Sequence, residues 1–406
     1  MKIKFCRNCR SNNLIKIFSL GNINYTGKFL KKNINSRKGP INTVMCKKCN
    51  LVQLHDNFDL KYLYGPDYGY RTGINATMTN HVKKITRTLV KIVSVKKNDW
   101  VLDIASNDAT LLNFYNKNLI TFGIDPLVNK FKKNYKNINF KLSNFFSANK
   151  IKKKLSGNKF KIISALSVFY DLQNPNSFLK GSESILADDG VLLLEFADLA
   201  SIIRYNMFDT FCHEHLEYYS AKVIQEMSVK NNLRIFNVKQ NNINGGSIQF
   251  FICKKNARYK NNLNALKKIK KIDRDYKLDK VITYQNFIKR VDKIKNNLIK
   301  FIKKAKANNK TIHGYGASTK GNVLLQYFGL TNKEITYIAE RNPKKYNLYT
   351  PGTKIKIISE KDSRAMMPDY YIVLPWHFKK EIIKREKKDF KNKSKFIFPL
   401  PNLKIY

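Results

Sequence analysis

At 406 residues, 43% of them hydrophobic and 12% aromatic, the chain has apolar mass for two or three domains of ~100–200 residues and is too apolar for global disorder. Its 77 lysines and arginines against 29 acids leave a net charge of +48, which would suit a polyanion partner if it were gathered on one face. It is spread instead through helix-like, loop-like and linker-like stretches alike, so no nucleic-acid partner is expected, and the field favours a small anionic substrate.

The N-terminus, MKIKFCRNCR, has no apolar stretch for a signal peptide, and runs such as residues 191–194 are too short for a bilayer. A soluble cytoplasmic protein without membrane contact is expected. Cys6-x-x-Cys9 and Cys46-x-x-Cys49 offer four thiolates at the spacing of two knuckles, and zinc is the ion that four thiolates prefer. Neither pair sits at a strand-to-helix turn, where a redox C-x-x-C belongs. Four protein ligands close the coordination sphere, so the zinc is expected to be structural. Residues 1–60 otherwise read as irregular.

From about residue 76 the pattern turns helical, through Met78, Val82, Ile85 and Leu89. Short apolar runs at 100–104, 121–124, 161–166 and 191–195 then read as buried parallel strands of an α/β sheet. Residues 101–112 have the shape of a strand, a tight turn of small polar residues and a helix start, which lets backbone approach a ligand at the carboxyl end of the strand. The next strand closes on Phe122-Gly-Ile-Asp-Pro126, an acid placed for two ribose hydroxyls. The G-x-G-x-x-G of a dinucleotide site is absent, and an Asp-rich turn suits the cationic aminoacyl end of S-adenosylmethionine (SAM) better than a pyrophosphate. The expected cofactor residues are Asp103, Ala105, Ser106, Asn107, Asp125 and Pro126, with ordinary turn and cap duty as the alternative.

Within the Lys-rich stretch 256–310, Tyr284, Phe287, Val291, Ile294, Leu298 and Phe301 recur at helical spacing, which predicts a long amphipathic connecting helix. α/β patterning then resumes with strands at 311–315, 335–339 and 370–374. The three expected units are residues 1–75, 76–255 and 256–406.

Several ordered blocks carry a resemblance. They are the paired cysteines, Tyr68-Gly-Tyr-Arg-Thr-Gly73, the Asp-Ile-x-Ser-Asn-Asp turn, Gly-Ile-Asp-Pro and Asp209-Thr-Phe-Cys-His-Glu-His-Leu-Glu-Tyr-Tyr219. Further on come Asn244-Gly-Gly-Ser247, Gly314-Tyr-Gly-Ala-Ser-Thr-Lys-Gly321, Pro351-Gly-Thr353 and Leu374-Pro-Trp-His-Phe378. Over nearly its full length the chain resembles the SAM-dependent C-methyltransferases of nucleotide-linked 4-keto-deoxysugars. The resemblance implies a small irregular zinc-binding domain, a central class I (Rossmann-like) SAM methyltransferase domain and a C-terminal Rossmann-like α/β domain that helps hold a nucleotide diphosphate sugar. It also departs: Ala109 stands where the family has glycine, and Cys212 and Asp171 where better-known members carry tyrosine and histidine near the sugar. The branch therefore leaves the sugar and the methylated carbon open.

The implied chemistry needs a base to make an enolate. Histidine is the natural one near neutral pH, and the resemblance places it in His213-Glu-His215, with His215 as base, Glu214 behind it and His213 as the substitute. Alone, His-x-His reads equally well as two neutral histidines at a strand edge. Tyr70 is the implied donor to the oxyanion. Tyr68, Arg71, Asn244, Gly245, Gly246, Ser247, Gly316 and Lys320 are the implied substrate contacts. Without the resemblance, Asn244–Ser247 is a plain hairpin turn, and Lys320 is a phosphate partner or one solvated lysine of many. An O- or N-methyltransferase on the same fold, and a zinc-containing nucleic-acid-binding protein, are the competing readings. A monomer or weak homo-oligomer is expected.

Overall fold

The computed structural model describes residues 1–32, 34, 36–65, 68–389 and 394–406. Three sheets organise the chain. The first is antiparallel and takes Leu14–Asn24, Lys38–Cys46 and Val52–Leu54 from the N-terminal segment, then Glu217–Tyr218 from far along the chain. Residues 14–54 thus hold regular strands within the segment that reads as irregular. Register shifts between Lys16 and Phe18 and between Ser19 and Asn22 break the two-residue alternation by which a strand is recognised.

Trp100–Ile104, Ile120–Ile124, Phe140–Leu142, Phe160–Leu166 and Leu186–Ala197 form the parallel part of the second sheet, and the hairpin Leu233–Asn241 with Ser247–Lys254 completes one edge. Counted within the sheet, the strand order is 6-7-5-4-1-2-3. It is the expected doubly wound plan, whose connections diverge between the first strand and the fourth. The crevice at the carboxyl ends of Trp100–Ile104 and Phe160–Leu166 is therefore where a ligand belongs. The helix expected after the first strand is only a 3-10 turn at Leu112–Phe114. Ala109 sits in the left-handed region at φ 58°, and Asn113 Nδ2 donates to the carbonyls of Ala109 (2.9 Å) and Asn134 (3.0 Å), which closes the segment as turns before the next strand begins.

The third sheet runs Lys356–Ser359, Tyr337–Glu340, Ile312–Tyr315, Tyr370–Val373, Lys395–Phe398 and Lys404–Ile405, parallel except for the last strand. Helix Val281–Ala307 joins it to the rest of the molecule. Tyr284, Phe287, Val291, Ile294 and Leu298 face inward along it, as their spacing predicts. Each such burial contributes roughly 1.5–3 kcal/mol. Phe287 packs on Phe18 of the first sheet and on Phe211, so the N-terminal sheet, the segment around 199–218 and the third domain share one apolar core. No helix among the described residues is long and apolar enough to cross a membrane.

Candidate active site

The four cysteines of the paired motifs converge, their sulfurs within 4.8 Å of one another. The two knuckles are built alike. Arg10 and Asn50, each just after a pair, adopt left-handed conformations (φ 63° and 61°) and donate their N–H groups to the carbonyls of Cys6 and Cys46. Cross-pair distances of 3.6 Å (Cys6–Cys49) and 3.5 Å (Cys9–Cys46) compare with about 3.8 Å between sulfurs tetrahedral around an ion at ~2.3 Å. Gln53 Nε2 donates to Cys6 Sγ at 3.2 Å, the outer-shell support a thiolate ligand wants. Burial pushes the Cys46 thiol up to about 11, whereas Cys6, which accepts from Cys49, is held at about 5. A divalent cation resolves that conflict by compensating all the sulfurs at once, so the donor set fits zinc.

At the carboxyl ends of the first two strands of the second sheet lies a cavity of about 550 Å³, lined by Ile104, Ala105, Ile124, Pro126, Phe145 and Phe146 among others. Asp125, between the lining residues Ile124 and Pro126, accepts from Asn107 N (2.9 Å) and Leu127 N (2.6 Å). Asp103, buried at the end of its strand, accepts from Ser164 Oγ at 2.6 Å. Burial raises Asp103 to about 7 and Asp125 to about 6, so both are poised to gain from a cationic ligand. Ala105 and Pro126 therefore touch the cavity and the two acids stand at the strand ends. Ser106 instead turns to Tyr135 (2.7 Å), and the Asn107 side chain accepts from Thr72 N (3.0 Å). Phe145 and Phe146 were not among the expected residues. Their signal is position, two aromatics just beyond the third strand, one of them 39% exposed.

Arg71 is paired within the chain. Its Nε donates to Asp108 Oδ2 at 2.9 Å, and Gly73 N donates to the same oxygen, so residues 70–73 close over the cofactor turn. Tyr70, 45% exposed, accepts from Thr72 and faces Asp108. The Tyr68 phenol lies in the field of Asp171 and Glu214.

The His-Glu-His run enters between the sheets. His213 is fully buried against Tyr25 and Phe58, and its Nε2 donates to Gly39 O at 3.0 Å. It braces the N-terminal sheet. His215 is half-buried beside the Tyr170 ring, with Nδ1 2.8 Å from Thr210 O. A carbonyl can only accept, so Nδ1 carries the proton and Nε2 keeps its lone pair. Burial, reinforced by the charge of Lys320, lowers His215 to about 3. Glu214 is buried, with Oε2 3.4 Å from Thr26 Oγ1 and Oε1 unpartnered among the described residues. Asp171 is likewise buried with an unpartnered Oδ1, and burial raises both carboxyls.

Lys320 comes to the same region from the C-terminal domain, donating to Asn244 O at 3.1 Å and lying in the field of Asp209 and Cys212. His377 joins from the C-terminal domain with a buried, unpartnered Nδ1. Gly245 and Gly246 serve close packing: a Cβ on Gly246 would lie 2.6 Å from Ser201 Cβ, and one on Gly245 3.1 Å from Trp376. Ser247 Oγ donates to Ile243 O and closes the hairpin. Gly316 is not an open phosphate cradle. A Cβ there would sit 2.7 Å from Pro375, and the next N–H, of Ala317, already donates to Glu340 Oε2 at 2.8 Å.

Three sequence families match the chain in succession: "Putative zinc binding domain" over residues 6–64, "Methyltransferase domain" over 67–238 and "C-methyltransferase C-terminal domain" over 242–401. C-methyltransferase NovU of Streptomyces niveus is 25% identical over 405 residues, covering 98% of this chain and 96% of the relative. Among solved structures, a SAM-dependent methyltransferase from Clostridium acetobutylicum is 11% identical, covering 43% of this chain and 92% of its own, at TM-score 0.35. Magnesium protoporphyrin IX methyltransferase from Synechocystis, with bound SAM, is 13% identical, covering 48% and 89%, at TM-score 0.33. Overlaps at that level add nothing to what the strand order already says. Zinc-binding module, methyltransferase sheet and C-methyltransferase C-terminal domain follow one another from residue 6 to residue 401, and the chain belongs to the SAM-dependent C-methyltransferases built on that plan.

Proposed function

We propose that the protein methylates a carbon next to the ketone of a nucleotide-linked 4-keto-deoxysugar through an enolate. The observation that carries this reading is His215, a neutral imidazole with its Nε2 lone pair free, next in sequence to the buried Glu214 and within the field of Lys320 from the C-terminal domain. A carbon nucleophile needs a base, and transfer to oxygen or nitrogen does not. SAM, when bound, supplies an electrophilic methyl group. His215 takes the proton alpha to the ketone at Nε2 while Thr210 O holds its orientation. Glu214 lies next to it as the acceptor that stabilises the imidazolium. Tyr68, Tyr70 and Asn244–Gly246 contribute to the sugar pocket. The test is incubation with SAM and a panel of nucleoside diphosphate 4-keto-sugars, read by mass spectrometry and NMR. A new carbon-bound methyl group supports the reading. Methyl on oxygen or nitrogen, or no product from any keto-sugar, refutes it.

For the cofactor we propose Asp125 at the ribose hydroxyls and Asp103 toward the aminoacyl ammonium. Asp125→Ala should weaken SAM binding by roughly 1–3 kcal/mol in calorimetry. The pH dependence follows from Asp103. With its free-enzyme value raised to about 7, the carboxyl is mostly neutral below that pH and must lose its proton to meet a cation. SAM affinity should therefore fall as pH drops below about 7, approaching tenfold per unit, and level off above it. A flat affinity between pH 5 and 8 would remove Asp103 from the site.

A further inference from the structure

We propose that Lys320 is a catalytic residue of this reaction, its ammonium stabilising the negative charge that develops on the ketone oxygen as the enolate forms. The proposal rests on the enolate reading above.

Lys320 lies in the first turn of helix Thr319–Phe328, and its partly buried side chain reaches the turn at Asn244. Its Nζ makes one hydrogen bond, to the carbonyl of Asn244, and no ion pair among the described residues. An ammonium has three N–H donors, so two remain for a ligand. The surroundings keep it available. Asp209 lies within its field, but Asp209 Oδ2 is already taken by Trp376 Nε1 at 2.8 Å, and its Oδ1 has no partner. On the other side stand His215 and His377, both neutral and both held so partly by the Lys320 charge. Lys320, His215 and His377 thus lie within electrostatic reach of one another.

The chemistry balances without another reagent. As the alpha proton moves to His215 Nε2, the carbon–hydrogen pair becomes the enolate and charge collects on the ketone oxygen beside the Lys320 N–H groups. When the new carbon–carbon bond forms, the methyl–sulfur bond breaks with its pair left on sulfur. The carbonyl is restored, and His215 returns its proton to water. A cation fixed where charge develops, in surroundings from which water is largely excluded, is the arrangement that lowers such a barrier.

Two other assignments fit less well. Tyr70 approaches from the cofactor turn, where it already accepts from Thr72 and faces Asp108, and a neutral phenol offers less to an oxyanion than an ammonium. A phosphate on Lys320 would have to sit beside Asp209, where like charge repels it as that carboxyl ionises.

The test uses full-length protein, thymidine diphosphate 4-keto-6-deoxyglucose as probe and S-adenosylhomocysteine in place of SAM, in deuterated water. Deuterium entry at the carbon next to the ketone reports the enolate step alone. Lys320→Met should exchange about 10²–10³-fold more slowly at saturating probe, with KM and S-adenosylhomocysteine affinity within threefold of wild type, and Lys320→Arg should recover part of the rate. The retained affinity is the folding control, and Lys320→Gln is the second variant if methionine fails it. Wild-type exchange at saturation combined with a KM raised tenfold or more would assign Lys320 to the diphosphate and overturn the proposal. So would a borohydride-trapped adduct on Lys320, which requires an imine in place of a hydrogen bond. A wild type that methylates oxygen or nitrogen and never exchanges would remove the enolate reading itself, and the proposal with it.

Discussion

Replacing His215 by asparagine is expected to lower kcat by about 10²–10⁴, the usual worth of a positioned general base, with SAM affinity unchanged. Asparagine preserves a donor toward Thr210 O, so the variant removes the Nε2 lone pair and little else. The value of about 3 to which burial and Lys320 push this imidazole describes a cleft without substrate. It means that the free enzyme keeps His215 neutral, hence ready to accept a proton, throughout the physiological range. Once an oxyanion forms opposite, a proton on Nε2 is no longer an isolated charge in apolar surroundings, and the basicity recovers. With SAM saturating, kcat/KM should therefore show no acid limb from His215 near the ordinary histidine value of about 6.5. Deuterium exchange into the substrate separates the base from everything else. If the His215→Asn variant exchanges the alpha proton at the wild-type rate, the base is another group, and His213 is a poor substitute because Gly39 and two aromatic rings enclose it.

The parts of this site that were legible in the sequence are those where chemistry is concentrated in a short window. Cys6, Cys9, Cys46 and Cys49 declare a metal by spacing, and Asp103 and Asp125 mark the carboxyl ends of two adjacent strands because each closes an apolar run of strand length. Helix Val281–Ala307 was legible because apolar residues recurring three and four apart over so long a stretch line up on a single helical face. What stayed hidden is what tertiary pairing creates. Nothing near Glu217 announces that it will extend the N-terminal sheet, and nothing near Thr26 or Gly27 says that they will stand against Glu214. The pairing of Arg71 with Asp108 was hidden too, since an arginine in a family motif invites an anionic ligand and gives no sign of an internal acid. The same holds of Gly316, whose glycine answers to the ring of Pro375, a neighbour that no sequence window includes.

Removing zinc is expected to abolish turnover while leaving the SAM site able to bind. The strand Lys38–Cys46 ends in a metal knuckle and begins beside Gly39, whose carbonyl accepts from His213. The next strand, Val52–Leu54, pairs directly with Glu217–Tyr218. Arg7, inside the first knuckle, reaches Glu217 at 3.7 Å with both side chains buried, and donates to the carbonyls of Leu54 and Asp56. The module therefore grips the chain on both sides of His215, at His213 and at Glu217–Tyr218. Structural zinc contributes on the order of 10–16 kcal/mol at neutral pH in sites whose folding it drives, more than most whole domains have to spare. Of the two apolar clusters on the methyltransferase sheet, one contains no residue of the module, and the other is joined by Cys6, Cys46, Cys49 and Leu51 on one side only, so the sheet is expected to keep its fold when the module loosens. A Cys46→Ser, Cys49→Ser variant should contain less than half an equivalent of zinc, against one for wild type. Hydrogen exchange should then rise sharply in peptides covering 14–54 and 209–219 and little in those covering 100–124 or 160–166. Turnover should fall by at least about 10³-fold, since it loses the positioning of base and carboxyl together. A zinc-free variant that turns over at the wild-type rate, or one whose exchange rises equally through the methyltransferase strands, would separate the metal from the catalytic run and leave it a local staple.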